Sequence, residues 1–163
     1  MRGIKPEGLP PAFLLMSIII TNSKARHEFH ILDTVEAGIV LRGTEVKSIR
    51  AGKAQVSDAF ARVEQDQVWL HQMHIDEYGF GNVHNHPPKG KRRLLLNRSE
   101  IRRLAEASSS KGVTLVPLDL HWKNNRVKVS LAVCKGKVDF DKRQDLKSRE
   151  ADREIRRALH RRG

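Results

Sequence analysis

The clearest pattern in the chain is an alternation of apolar and polar residues near its C-terminal third. In Arg126 to Lys135, Val127, Leu131, Val129 and Val133 alternate with Lys128, Ser130, Ala132 and Cys134, a period of two that marks a strand with one wetter face. Val113 to Trp122 precedes it with a similar density of apolar residues, and Asn124-Asn125 sits between the two as a hairpin turn. Four more strands follow from shorter runs: Glu28 to Leu32 and Val35 to Leu41, separated at Asp33-Thr34, and Val56 to Val63 and Val68 to Met73, joined around Gln65-Asp66-Gln67. Ser17 to Ile20 is β-branched and reads as a short strand or a tether.

The period changes in two places. After Gly43 the segment TEVKSIR reads as a short helix with Thr44 as its N-cap, Val46 and Ile49 facing inward, and Glu45, Lys47, Ser48 and Arg50 left outside. Asn97, followed by Glu100 three residues later, opens a second helix that buries Ile101, Leu104 and Ala105 and carries Arg98, Arg102 and Arg103 on its other side, with Gly112 as a stop. Thr21, Asn22 or Ser23 caps a third helical turn bearing Lys24, Arg26 and His27. Glu77 to Gly90, rich in glycine, proline and asparagine, is a long loop.

Beyond Gly136 apolar residues almost vanish. The pairs Asp145–Arg149 and Asp152–Arg156 are spaced for helix support, but no apolar stripe exists to dock one, so the segment is expected to be disordered alone and helical on a partner. These patterns divide the chain into a flexible extension (1–16), a barrel (17–136) and a charged tail (137–163). The expected fold class is mainly β: a small antiparallel OB-like β-barrel with two or three short α-helices and a disordered basic C-terminal tail.

Charge then narrows the function. With 31 Lys and Arg against 19 Asp and Glu, a formal net charge of +12 on 163 residues calls for a polyanionic partner, nucleic acid before an anionic membrane surface. The basic residues gather at Lys24, Arg26 and His27, at Lys47 and Arg50, and at Lys89 to Arg93 with the Arg98–Arg103 helix. Aromatic residues make up only 5%, which disfavours binding by extended base stacking. The single cysteine, Cys134, forms no intramolecular disulfide and lies in a strand, as a buried thiol would. The apolar run Ala12 to Ile20 is too short to span a bilayer and lacks a small-x-small cleavage pattern. His71 and His74 point to opposite faces of a strand, and His84 and His86 have no nearby Asp or Cys to complete a metal site. No phosphate-cradling loop, GxSxG or HExxH motif is present. These features leave a histidine-dependent metal hydrolase acting on nucleic acid, or a general OB-type single-strand binder, as alternatives to a dedicated RNA adaptor.

Four segments then carry a resemblance: NSKARHEF, EAGIVLRGTEVKSIRAGKAQVSDAFA, RRLLLNRSEIRRL and WKNNRVKVSLAVCKGKVDFDKR, in this order and spacing. From about Thr21 to Arg153 the chain resembles the small protein B (SmpB, SsrA-binding protein) family. The resemblance implies an OB-like barrel, no enzymatic activity, no cofactor, and a cytoplasmic, monomeric protein that serves trans-translation. Its implied partners are the tRNA-like domain of transfer-messenger RNA, the stalled 70S ribosome and, indirectly, elongation factor Tu. It assigns RNA binding to Asn22, Arg26, His27, Glu36, Lys47, Ser48, Arg50, Leu95 and Lys128, with Leu95 acting through packing. It assigns the decoding-centre role to Phe140, Asp141, Lys142 and Arg143. Phe140 stands where the family often has Tyr or His, and Glu77 where it commonly has Pro.

Overall fold

A computed structural model describes residues 16–79 and 85–162. Its strands are β1 (Met16–Thr21), β2 (Phe29–Ile39), β3 (Ala54–Gln55), β4 (Phe60–Glu64), β5 (Gln67–His71), β6 (His74–Ile75), β7 (Arg92–Leu95), β8 (Val113–Lys123) and β9 (Arg126–Gly136). Its helices are α1 (Ala25–Glu28), α2 (Gly43–Arg50), α3 (Arg98–Ser108) and α4 (Asp139–Arg162). The main sheet runs β1-β8-β4-β5-β7-β2-β9, and β9 pairs back onto β8, so six strands close into a barrel and β1 flanks it. Closure removes the exposed edges that an open sheet of this size would offer to other chains. The weakest seam is β4 against β8, paired only at Ala61 and Leu115.

The β8–β9 hairpin forms as its alternation predicts, with Asn124 and Asn125 both at positive φ (52° and 63°). That is the backbone of a tight primed turn, which asparagine tolerates better than most residues. Gln65 and Asp66 close β4 onto β5 in the same way, at φ 50° and 62°. The two strands expected on either side of Asp33-Thr34 are one. β2 runs through the break, and a register shift between Ile31 and Asp33 absorbs the irregularity while pairing with β9 continues. A local bulge costs less than ending an eleven-residue ladder.

Val35, Ala37, Ile39, Leu70, Leu115, Leu120, Val129 and Leu131 fill the barrel, and α2 and α3 insert Ile49 and Leu104 into the same cluster. The outer face of β9 is wet only in its first half. Ala132 and Cys134 are covered by Ala25 of α1 together with Val116 and Leu118, a second small core on the outside of the sheet. Burial there raises the Cys134 thiol to about 11, which keeps it protonated and unreactive at neutral pH.

Three details of α2 depart from expectation. Its N-cap is Arg42, two residues before Thr44, and its backbone N–H donates to Glu45 Oε1 at 2.8 Å, so the helix starts at Gly43. The Thr44 hydroxyl instead meets His86 Nδ1 at 2.8 Å, and His86 Nε2 meets the Ile75 carbonyl at 3.0 Å. Glu45 and Ser48, placed outside by the Val46/Ile49 pattern, are buried with Ile49, while Val46 is half-buried. The cause is a partner far away in sequence: Glu45 pairs with the Arg92 guanidinium, itself 4% exposed and drawn out of the basic surface cluster to which its neighbours belong. Arg92 also donates to the carbonyls of Met73 (2.7 Å), Gly90 (2.9 Å), Pro87 (3.3 Å) and Pro88 (3.2 Å). It thereby fixes the loop that enters β7.

The α3 helix follows its sequence signal, with Asn97 Oδ1 accepting from Glu100 N–H and the Glu100 side chain reaching back to Asn97 N–H. The charged segment after Gly136 takes the helical form, as the continuous helix α4. No glycine or proline interrupts residues 137–162, and Lys, Arg, Glu, Ala and Leu, which favour helix, are frequent there. Leu146, Ile155 and Leu159 remain exposed on it. The extension before Met16 lies outside the described residues, as does His84.

Candidate nucleic-acid interface

Strands β7, β2, β9 and β8 are neighbours, and their registers align two rows of outward-facing residues. Leu95 pairs with Gly38, Gly38 with Lys128, and Lys128 with His121. One row over, Glu36 pairs with Ser130 and Ser130 with Asp119. Three of the residues assigned to RNA, Glu36, Leu95 and Lys128, therefore meet on one patch although they are far apart in sequence. Gly38 makes this possible: a Cβ there would stand 3.2 Å from the Leu95 Cβ and 3.7 Å from Lys128 Nζ. A side chain at position 38 would press on Leu95, while its approach to Lys128 would be ordinary contact.

Leu95 differs from its expected packing role. It is 49% exposed, an apolar side chain displayed on a polar surface, so direct contact with a partner fits it better than support from within. Beside it is a cleft of about 260 Å³ whose walls include Leu41, Trp122 and Lys128. Arg50 of α2 lies over the Trp122 ring at 5.3 Å, which brings a further cation to this side of the barrel. Lys47, also exposed, lies over Tyr78 at 5.2 Å.

Two assigned residues have buried side chains. Asn22 is 4% exposed, and its amide donates to the carbonyls of Pro117 (2.9 Å) and Val56 (3.3 Å), tying the β1–α1 connection to β8. Ser48 is 1% exposed on the inner side of α2. Arg26 and His27 are on α1, and Lys137 joins them to the root of the tail. Lys137 donates its backbone N–H to the Glu28 carbonyl (2.8 Å) and its Nζ to the Arg26 carbonyl (2.9 Å). Phe140, Asp141, Lys142 and Arg143 follow at the start of α4, where the Lys142 N–H bonds the Val138 carbonyl at 3.2 Å.

Sequence reasoning missed the residues around Glu36. His121 Nε2 lies 3.0 Å from Glu36 Oε2, and Lys123 Nζ donates to Oε1 at 3.1 Å. His121 Nδ1 in turn lies 2.7 Å from Asp119 Oδ1. The signal was present: in Leu118 to Lys123 the polar Asp119, His121 and Lys123 alternate with Leu118, Leu120 and Trp122. Partial burial pushes the Glu36 carboxyl up, but the hydrogen bonds and charges of His121 and Lys123 outweigh it and hold the group below its ordinary 4.5. A depressed carboxylate contributes stability that is present above pH 4.5 and lost as the pH falls through its folded-state value. Glu36→Gln should therefore lower stability by about 0.5–1 kcal/mol above pH 4.5, a figure discounted for solvent screening. Urea titrations across pH 2.5–7 check this: the two proteins should differ at neutral pH and converge in acid.

Three of the described histidines have partners of other kinds. His71 pairs with Glu64 (2.8 Å), His74 with Asp76 (2.6 Å), and His86 is held by Thr44 and Ile75. Among the described residues no three His, Cys, Asp or Glu side chains are grouped to hold an ion. Nor, among them, is any helix long and apolar enough to cross a membrane.

A closed antiparallel barrel with a strongly basic chain and a polar, cation-lined outer sheet face defines a small nucleic-acid-binding β-barrel protein. The protein-family model for "SmpB protein" matches residues 19–161. The SsrA-binding protein of Thermobifida fusca is 52% identical over 144 residues, 88% of this chain and 90% of its own length. That of a Geobacillus species is 54% identical over 145 residues, 89% and 94% respectively. A solved structure described as "tmRNA-SmpB: a journey to the center of the bacterial ribosome" matches with a TM-score of 0.64 at 43% identity, covering 76% of this chain and 87% of that one. The chain belongs to the SmpB family.

Proposed function

We propose that this chain is a transfer-messenger RNA-binding adaptor for trans-translation, with no catalytic centre of its own, acting in the cytoplasm on stalled ribosomes. The barrel holds the tRNA-like domain of the RNA; the tail after Gly136 occupies the decoding centre and the empty mRNA channel, and elongation factor Tu accompanies the complex indirectly. The observation that carries this reading is the convergence of Glu36, Leu95 and Lys128 on one outward patch in a chain of this family. Lys128 and Arg50 supply phosphate contacts, Leu95 an apolar contact to a base or ribose, and Glu36 an acceptor for base amines or 2′-hydroxyls. Asn22 acts from beneath the surface by tying the β1–α1 connection to β8. The tail works as a unit separable from the barrel, because its helix has few contacts with it beyond the Lys137 root.

Competition between RNAs tests the choice between a shape reader and a general single-strand binder. A folded tRNA-like RNA should be retained against an excess of unstructured oligonucleotide of equal length, with affinity falling steeply as salt rises. Equal displacement by both RNAs would favour the single-strand reading instead.

A further inference from the structure

A bare carboxylate is a poor residue to place against RNA, since every phosphate repels it. The surroundings of Glu36 remove that difficulty. His121 is on β8, two strands from β2 with β9 between them, and is 1% exposed. Its two ring nitrogens face two carboxylates, Asp119 at 2.7 Å and Glu36 at 3.0 Å. An ionised carboxylate only accepts, so in this contact the ring offers Glu36 its Nε2–H, with Asp119 at the other ring nitrogen. Lys123 Nζ donates to the other Glu36 oxygen at 3.1 Å, so each oxygen of the carboxylate has its own partner.

We propose that His121 is a positioning residue for RNA recognition by Glu36. Asp119 holds the ring from behind, the ring fixes one carboxylate oxygen, and Lys123 fixes the other. Each oxygen then keeps a lone pair for an outside donor, in a set orientation and beside the Lys123 ammonium. Such an acceptor takes a base amine or a 2′-hydroxyl and gains nothing from phosphate, which has no proton to give. The cluster thus contributes discrimination between donor groups, while Lys128 supplies attraction to the backbone. The proposal rests on the reading that Glu36 faces the RNA.

The test compares His121→Gln with His121→Met. The two side chains are close in shape, but only glutamine keeps an N–H donor that can reach Glu36. Affinity for a tRNA-like RNA is titrated at fixed salt with each variant, in the parent and in a Glu36→Ala background, on protein with intact cooperative melting. His121→Met should weaken binding about fivefold or more, as expected for loss of a hydrogen bond to a charged group, and His121→Gln should stay within about twofold. In the Glu36→Ala background His121→Met should have no further effect. Lys123→Met, at the exposed end of β8, repeats the cycle without disturbing the interior and should also matter only when Glu36 is present; it decides the case if His121→Met does not fold. Equal binding by the methionine and glutamine variants, or a loss that persists without Glu36, would make the role one of packing and overturn the proposal. If Glu36→Ala alone binds like the parent, the reading of Glu36 itself has failed, and the proposal with it.

Discussion

Replacing Arg92 by methionine should destabilise the barrel by about 3–5 kcal/mol, the range seen when one partner of a buried ion pair is removed. Arg92 is enclosed, and its guanidinium serves the Glu45 carboxylate and four loop carbonyls at once. Methionine fills the space but leaves all five acceptors, including a buried charge, without that donor. Thermal melting should fall by about 10 °C or more, given the usual conversion for a domain of this size. A double variant, Arg92→Met with Glu45→Met, should recover part of the loss, because no uncompensated charge then remains. It should not recover all of it, since the carbonyls of Met73, Pro87, Pro88 and Gly90 still lose their donor. Equal stability of the single variant and the parent in urea would show that Arg92 belongs to the basic surface cluster, as its neighbours Lys91 and Arg93 do.

The second large effect is functional. Changing Asp141, Lys142 and Arg143 together to alanine should reduce peptide tagging on stalled ribosomes to background, while affinity for isolated RNA stays within about twofold. These residues lie at the start of α4, past the Lys137 root and away from the patch formed by Glu36, Leu95 and Lys128. The readouts are a reconstituted tagging reaction and a binding titration on the same preparation. A parallel loss of RNA affinity would show that barrel and tail do not divide the work in this way.

What the sequence made legible was local chemistry. The Asn124-Asn125 turn, the Asn97/Glu100 cap and the alternation of β9 each encode their element within a few residues, and the structure follows them. What it hid depends on partners distant in the chain. Glu45 turns inward because Arg92, 47 residues later, is there to meet it. Asn22 is interior because two carbonyls, one 95 residues away, need its amide. β2 ignores the turn residues Asp33-Thr34 because β9 continues to pair beyond them. The patch proposed to bind RNA was legible only in part. Resemblance supplied Glu36, Leu95 and Lys128, whereas their adjacency, the exposure of Leu95 and the clamp of His121, Asp119 and Lys123 are products of strand register. Ser48 and Asn22 show the converse: residues assigned to the surface by resemblance are buried in the fold.

The most direct test of the whole account is to capture the protein from its own cells under native conditions and sequence the RNA that comes with it. Transfer-messenger RNA should dominate the captured pool by far, with ribosomal RNA as the second component. That enrichment should disappear when Glu36, Leu95 and Lys128 are replaced together in a protein that still melts cooperatively. A pool of mixed messenger fragments without transfer-messenger RNA, or enrichment unchanged in the triple variant, would contradict the account.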